Sequence, residues 1–173
     1  MKKSLLLVLL VGCLICVVAC DTSGGKNYFA FRDCDFRAEV RGSLNGVGFC
    51  AEITMERMGE ERRVGVSYLA PESLAGTELS ALCDAKGEVI GEVEILRAGK
   101  TFSGDGVAFS GLLLPATGWF SPCEIVSVQK SNGRYLLSFS GGELLELRED
   151  GRPILLTAEE LSMEMVWMEE NEN

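Results

Sequence analysis

From Tyr28 onward the chain alternates hydrophobic and polar residues with a period of two, the spacing of strands buried on one face. Between residues 34 and 41, Cys34, Phe36, Ala38 and Val40 share one side, while Asp35, Arg37, Glu39 and Arg41 share the other. An Asn45-Gly46 pair follows, a strong hairpin signal. Val47, Phe49, Ala51, Ile53 and Met55 then alternate with Gly48, Cys50, Glu52, Thr54 and Glu56, which predicts a long hairpin with one apolar and one polar face. A third strand over 62–69 alternates Val64, Val66 and Tyr68 and stops at Pro71, which cannot donate to a ladder. Residues 79–83 and 89–95 predict a hairpin across Asp84-Ala85-Lys86-Gly87. Further strands are expected at 125–130, 135–140, Leu145 to Leu147, 153–157 and 161–167, separated by Asn132-Gly133, Gly141-Gly142 and Asp150-Gly151.

The alternation breaks between 104 and 122. Residues 107–114 are apolar around most of a helical wheel, and Pro115, Trp119 and Phe120 follow, which predicts a short buried helix or plug. The expected fold class is therefore mainly β (α+β): one curved antiparallel sheet wrapped around a helical insert.

The N-terminus reads as an address. Lys2 and Lys3 precede an uncharged run from Ser4 to Ala19, shorter than the ~20 residues a spanning helix needs and suited to a secretory hydrophobic region. Val17-Val18-Ala19-Cys20 resembles the lipobox of bacterial lipoproteins. That resemblance implies cleavage after Ala19 and a thioether-linked diacylglyceryl group on Cys20. Leu10-Val11-Gly12-Cys13 is a second, weaker lipobox, and an uncleaved anchor helix is the plain alternative. The expected organisation is a signal peptide over 1–19, a lipidated tether over 20–27 and a β domain over 28–170, with an acidic end after Glu169. Residues 21–27 reach at most ~25 Å, so the domain sits close to its membrane, on the extracytoplasmic face. Two or three acyl chains hold a domain there stably.

Charge and composition narrow the chemistry. The chain carries 26 acidic and 16 basic residues, a formal charge of −10, which disfavours phosphate-neutralising nucleic-acid binding. Removing residues 1–19 takes Lys2 and Lys3 and leaves 14 basic residues against 26 acidic, or −12, so anionic lipid would repel the domain and the anchor must hold it. There is no histidine, which excludes Ser-His-Asp and Cys-His nucleophilic sites. No catalytic residues, metal site or cofactor are expected, and the chain reads as a non-enzyme and a monomer. Cys34, Cys50, Cys83 and Cys123 leave three disulfide pairings open. Cys34 and Cys50 fall on opposite faces of their hairpin, which disfavours that pair. Asp33 and Asp35 read as ordinary solvent-facing strand charges.

The signal and lipobox, the FxAxVxGxxNGxxFxAxIxM hairpin (Phe36 to Met55), the Tyr-x-x-Pro strand end (Tyr68 to Pro71) and the late DGxP turn (Asp150 to Pro153) together resemble LolA/LolB-type lipoproteins. The match is to uncharacterised Gram-positive members in particular. The resemblance implies an incomplete antiparallel β-barrel whose concave face binds acyl chains. The apolar face then supplies the candidate ligand-binding residues: Phe36, Phe49, Ile53, Tyr68, Val93, Leu137, Phe139, Leu147, Met163, Met165 and Trp167. A lipid-sized cavity is expected around residues 107–120, the one stretch expected to cover the concave side, with its mouth toward the membrane. The alternative function is a non-enzymatic accessory lipoprotein that docks a cell-envelope complex through its polar faces or sheet edges, with no small ligand.

Overall fold

In the computed structural model, which describes residues 27–120 and 124–168, the alternating segments pair into one antiparallel sheet of eleven strands. Strands β1 (Phe36–Leu44), β2 (Val47–Met58), β3 (Glu61–Ala70), β4 (Thr77–Cys83), β5 (Val89–Arg97) and β6 (Lys100–Asp105) form a continuous meander. Helix α1 (Gly106–Thr117) follows, and a 3-10 turn at Gly118–Phe120 continues it. Strands β7 (Ile125–Ser131), β8 (Arg134–Phe139), β9 (Leu144–Arg148), β10 (Pro153–Thr157) and β11 (Leu161–Trp167) form a second meander. The two halves join where β1 pairs with β11, so the sheet runs from β6 at one edge to β7 at the other and does not close.

Tight turns set this register. Asn45-Gly46 and Asn132-Gly133 both take positive φ, the type I′ geometry that matches the twist of a two-residue hairpin. Ala98-Gly99 takes the same geometry and joins β5 to β6. Strand β6 has no counterpart in the expected elements, because alanine carries no turn signal although its φ here is +50°.

The expected plug is longer than its apolar run. Helix α1 begins with Asp105 as N-cap, its carboxylate accepting from the Val107 N–H at 2.8 Å, and continues through Pro115. Its buried side is Gly106, Leu113, Pro115 and Ala116, whereas Val107 is 84% exposed, so only one face of the segment is covered. The inward-facing sheet residues Val40, Ile53, Val64, Val93, Leu137, Leu147 and Met163 pack with Leu113, Trp119 and Phe120 into one core.

A second stretch also covers the concave face, contrary to expectation. Residues 28–33 do not extend as a strand. They turn, with a 3-10 segment at Ala30–Asp33, and put Phe31 into the core, Tyr28 against Tyr135 at 5.4 Å and Phe29 near Phe139 at 6.2 Å. Asp33 and Asp35 are therefore not strand charges. Asp33 pairs with the buried Arg62 at 2.9 Å, and Asp35 accepts from the Arg57 N–H at 2.6 Å. Arg62 also donates to the Arg32 carbonyl at 2.6 Å, while Arg32 donates to the Trp119 carbonyl at 3.0 Å, so the turn is stitched to both sheet and plug. Cys34, Cys50 and Cys83 are free thiols, with Cys34 exposed at the end of the turn. Cys20, Cys123 and the acidic end from Glu169 lie outside the described residues.

Candidate functional site

Where α1 crosses the top of the β1–β2 hairpin, the two surfaces do not close on each other. They leave a cavity of about 280 Å³ lined by Leu44, Val47 and Phe49 from the hairpin, Tyr68 from β3, Pro71 and Leu74 from the following loop, and Gly111, Leu112, Leu114 and Pro115 from the helix. Its volume lies just below the usual range of ligand pockets, and its wall is mostly apolar, with Asn45 at one side. Larger hollows of about 530 and 640 Å³ are grooves lined by charged side chains such as Arg37, Glu52, Glu78 and Glu94, or Arg134, Arg148, Glu149 and Asp150, and a third of about 510 Å³ is lined by Phe31, Phe36 and Trp167 together with Asp35, Arg37, Asp150 and Arg152.

Local chemistry keeps the cavity open. Gly42 lies opposite Phe49, and a Cβ there would fall 2.4 Å from the Ser162 carbonyl and 2.7 Å from the Phe49 ring, so only glycine lets that ring lie flat across β1. Tyr68 donates its hydroxyl to the Leu112 carbonyl at 2.9 Å and fixes the height of the helix above the sheet. Burial pushes the Tyr68 phenol up to about 12, so it stays a neutral donor. Pro115 has no N–H, which removes the helical donor that would meet the Gly111 carbonyl at the cavity wall. The Trp119 indole donates to the Pro115 carbonyl at 2.8 Å and closes the back of the helix. At the mouth, Val47 is 62% exposed beside Leu44, an apolar rim facing water.

The predicted ligand-binding residues divide into three groups. Phe49 and Tyr68 line the cavity. Ile53, Val93, Leu137, Phe139, Leu147, Met163 and Met165 are buried side chains of the packed core. Phe36 and Trp167 are half-buried at the opposite end of β1, their rings 4.5 Å apart, with the Trp167 indole donating to the Pro153 carbonyl at 2.9 Å. The sequence pattern missed Leu44 and Val47, whose Asn-Gly context marks a turn, and Leu74, which sits in a loop. Leu112 and Leu114 lay within the expected plug but carried no sign of which face would stay uncovered.

The described chain enters the fold at the Phe36 end. Tyr28 packs on Tyr135, which pairs with Leu147, and Leu147 pairs with Pro153 beside Trp167. The cavity is thus about one strand length from that entry, ~30 Å for the nine residues of β1.

Two thiols of the fold are held toward their protonated form. Burial, with Asp84 adding to it, pushes the Cys83 thiol up to about 11, and desolvation also raises Cys50.

No family model matches the chain, and no curated protein does. Among solved structures it is similar to an uncharacterized conserved protein from Thermus thermophilus, with 14% identity and a TM-score of 0.47 over 77% of this chain and 76% of that one. It is similar to a DUF1329 family protein from Desulfovibrio piger, with 10% identity and a TM-score of 0.44 over 82% and 89% of the two chains. A third likeness, to an outer membrane lipoprotein-sorting protein domain from Vibrio parahaemolyticus, has 10% identity and a TM-score of 0.45 over 82% and 89%.

Proposed function

We propose that the protein is a membrane-anchored extracytoplasmic lipoprotein that binds a lipid or other hydrophobic ligand without catalysis. The observation that carries this reading is the apolar cavity between α1 and the top of β1–β3, with its exposed rim at Leu44 and Val47. An apolar chain entering it gains roughly 25 cal/mol for each Å² of apolar surface removed from water, less the cost of ordering the chain. A mostly apolar wall selects by shape and length, the behaviour of a carrier or sensor of lipid rather than of an enzyme. The raised Cys50 and Cys83 thiols and a sequence without histidine support a binding role.

The anchor in this proposal is Cys20, diacylated. Because the described chain enters at the Phe36 end, the cavity would then face away from the anchoring membrane, toward whatever delivers or collects the ligand. Purifying the full chain from membranes in mild detergent, extracting it with organic solvent and weighing both fractions tests the two parts together. The proposal expects a diacylglyceryl-modified N-terminal Cys20 and a co-purified lipid released by extraction. An unmodified Cys20 on a protein still bound to membrane overturns the anchor, and a cavity empty of any lipid overturns the carrier.

One observation favours a second reading. Strand β7 is an unpaired edge carrying exposed Ile125, Val126 and Val128, a template for strand addition by a partner protein. A lipid-free preparation with a stoichiometric partner held on β7 would favour the docking function over the carrier.

A further inference from the structure

Glycine inside a helix or strand weakens it, because it loses more backbone freedom on folding than any other residue. Among the described residues, each glycine outside a positive-φ turn is required by a close approach, a Cβ there falling closer than 3.0 Å to a neighbouring atom, except Gly48 and Gly111. Helix α1 shows the contrast. A Cβ on Gly106 would meet Val89 Cγ1 at 2.6 Å, and one on the cap residue Gly118 would meet Met163 Cε at 2.7 Å. Gly111 lies in the middle of the helix, on backbone that any residue adopts, and a Cβ there would meet nothing within 4 Å. Gly48 shares this freedom, but alternation along β2 turns its Cβ away from the side that Val47 and Phe49 give to the cavity.

The position of Gly111 supplies the missing reason. It shares one helix face with Leu114 and Pro115, three and four residues on, and all three line the apolar cavity. Pro115 is buried, Leu114 half-buried and Gly111 exposed, so this face runs from the closed end of the cavity to its mouth. Across the mouth stand the exposed Leu44 and Val47.

We infer that Gly111 decides which ligand enters: a single-chain amphiphile whose head is broader than its chain, the head lying at the mouth against bare helix backbone. The inference rests on the reading of the cavity as a site for an apolar chain. At about 30 Å³ for each heavy atom, the share of a small molecule in a liquid, a cavity of about 280 Å³ takes roughly nine carbons. That suits one chain of medium length and is too little for the two chains of a bilayer phospholipid. The head then stays outside, in the space that a side chain at position 111 would occupy. Glycine here exchanges helix stability for room at the mouth.

The test uses two probes with the same chain, 1-decanol and decyl maltoside, each kept below its solubility or micelle limit. Both are titrated by calorimetry into the full native chain, Gly111→Ala and Gly111→Leu. Gly111→Ala should raise the urea midpoint, as expected of a helix glycine with no packing role. Gly111→Leu should weaken decyl maltoside roughly tenfold and 1-decanol no more than about twofold, because its side chain excludes the broad head and spares the slim one. A lowered midpoint in Gly111→Ala would show that the helix itself needs glycine there, and overturns the inference. An unchanged preference between the probes in Gly111→Leu, whether both affinities fall or neither does, overturns it too, while binding by the native chain leaves the cavity reading standing. A native chain that binds neither probe overturns the cavity reading and this inference with it.

Discussion

Cys83 and Tyr68 give the clearest single-residue consequence. Each has its pKa raised in the fold by burial, so each prefers its protonated form more strongly in the folded chain than in the unfolded one. The stability this contributes is complete below the ordinary thiol value of about 9 and is lost as pH rises through about 11 for Cys83 and about 12 for Tyr68. Arg32 works in the opposite direction above about pH 10, because desolvation chiefly, and then the charge of Arg62, lowers its pKa to about 10. Urea midpoints measured at pH 8 and pH 11 should fall for the native chain. The fall should be smaller for Cys83→Ala, whose thiol can no longer titrate in the unfolded state. An identical fall in both proteins would contradict the assignment of Cys83 as a buried protonated thiol. Some of this scale was legible in the sequence, since alternation in the third strand already put residue 62 on the inward side with Val64, Val66 and Tyr68. The partner was not legible. Arg62 is tolerated inside because Asp33 and the Arg32 carbonyl, far away along the chain, meet its guanidinium.

Among the elements, the hairpins announced by Asn-Gly were legible together with their register, because a buried face fixes the pairing once the turn is fixed. Strand β6 was hidden by Ala98, which adopts at φ +50° a conformation that costs an L-residue ~1–2 kcal/mol. Ala98→Asn should recover part of that cost and raise stability by about 0.5 kcal/mol, read as a higher urea midpoint with an unchanged slope. A lower midpoint would show that the Ala98-Gly99 turn is not the type I′ hairpin described here. The N-terminal cover was illegible for a different reason. Residues 28–33 hold three aromatic rings, and the strand period expected from Tyr28 onward is overridden there by contacts with Tyr135, Phe139 and Arg62. Seven of the eleven predicted ligand-binding residues are buried core side chains because the helix and this turn pack against the concave face, while Phe49 and Tyr68 line the apolar cavity and Phe36 and Trp167 a hollow of about 510 Å³ at the other end of β1.

The molecule as a whole is an eleven-strand sheet with two open edges and its cavity at the end opposite the chain entry. Irradiating the full protein with a decyl chain that carries a diazirine at its tip, then mapping the adducts by peptide mass spectrometry, locates a bound chain. Saturable labelling is expected on the peptides that hold Leu44 to Phe49 and Gly111 to Pro115, competed away by unlabelled decyl maltoside. Labelling confined to the Phe36–Trp167 end or to β7, or labelling that never saturates, would contradict it.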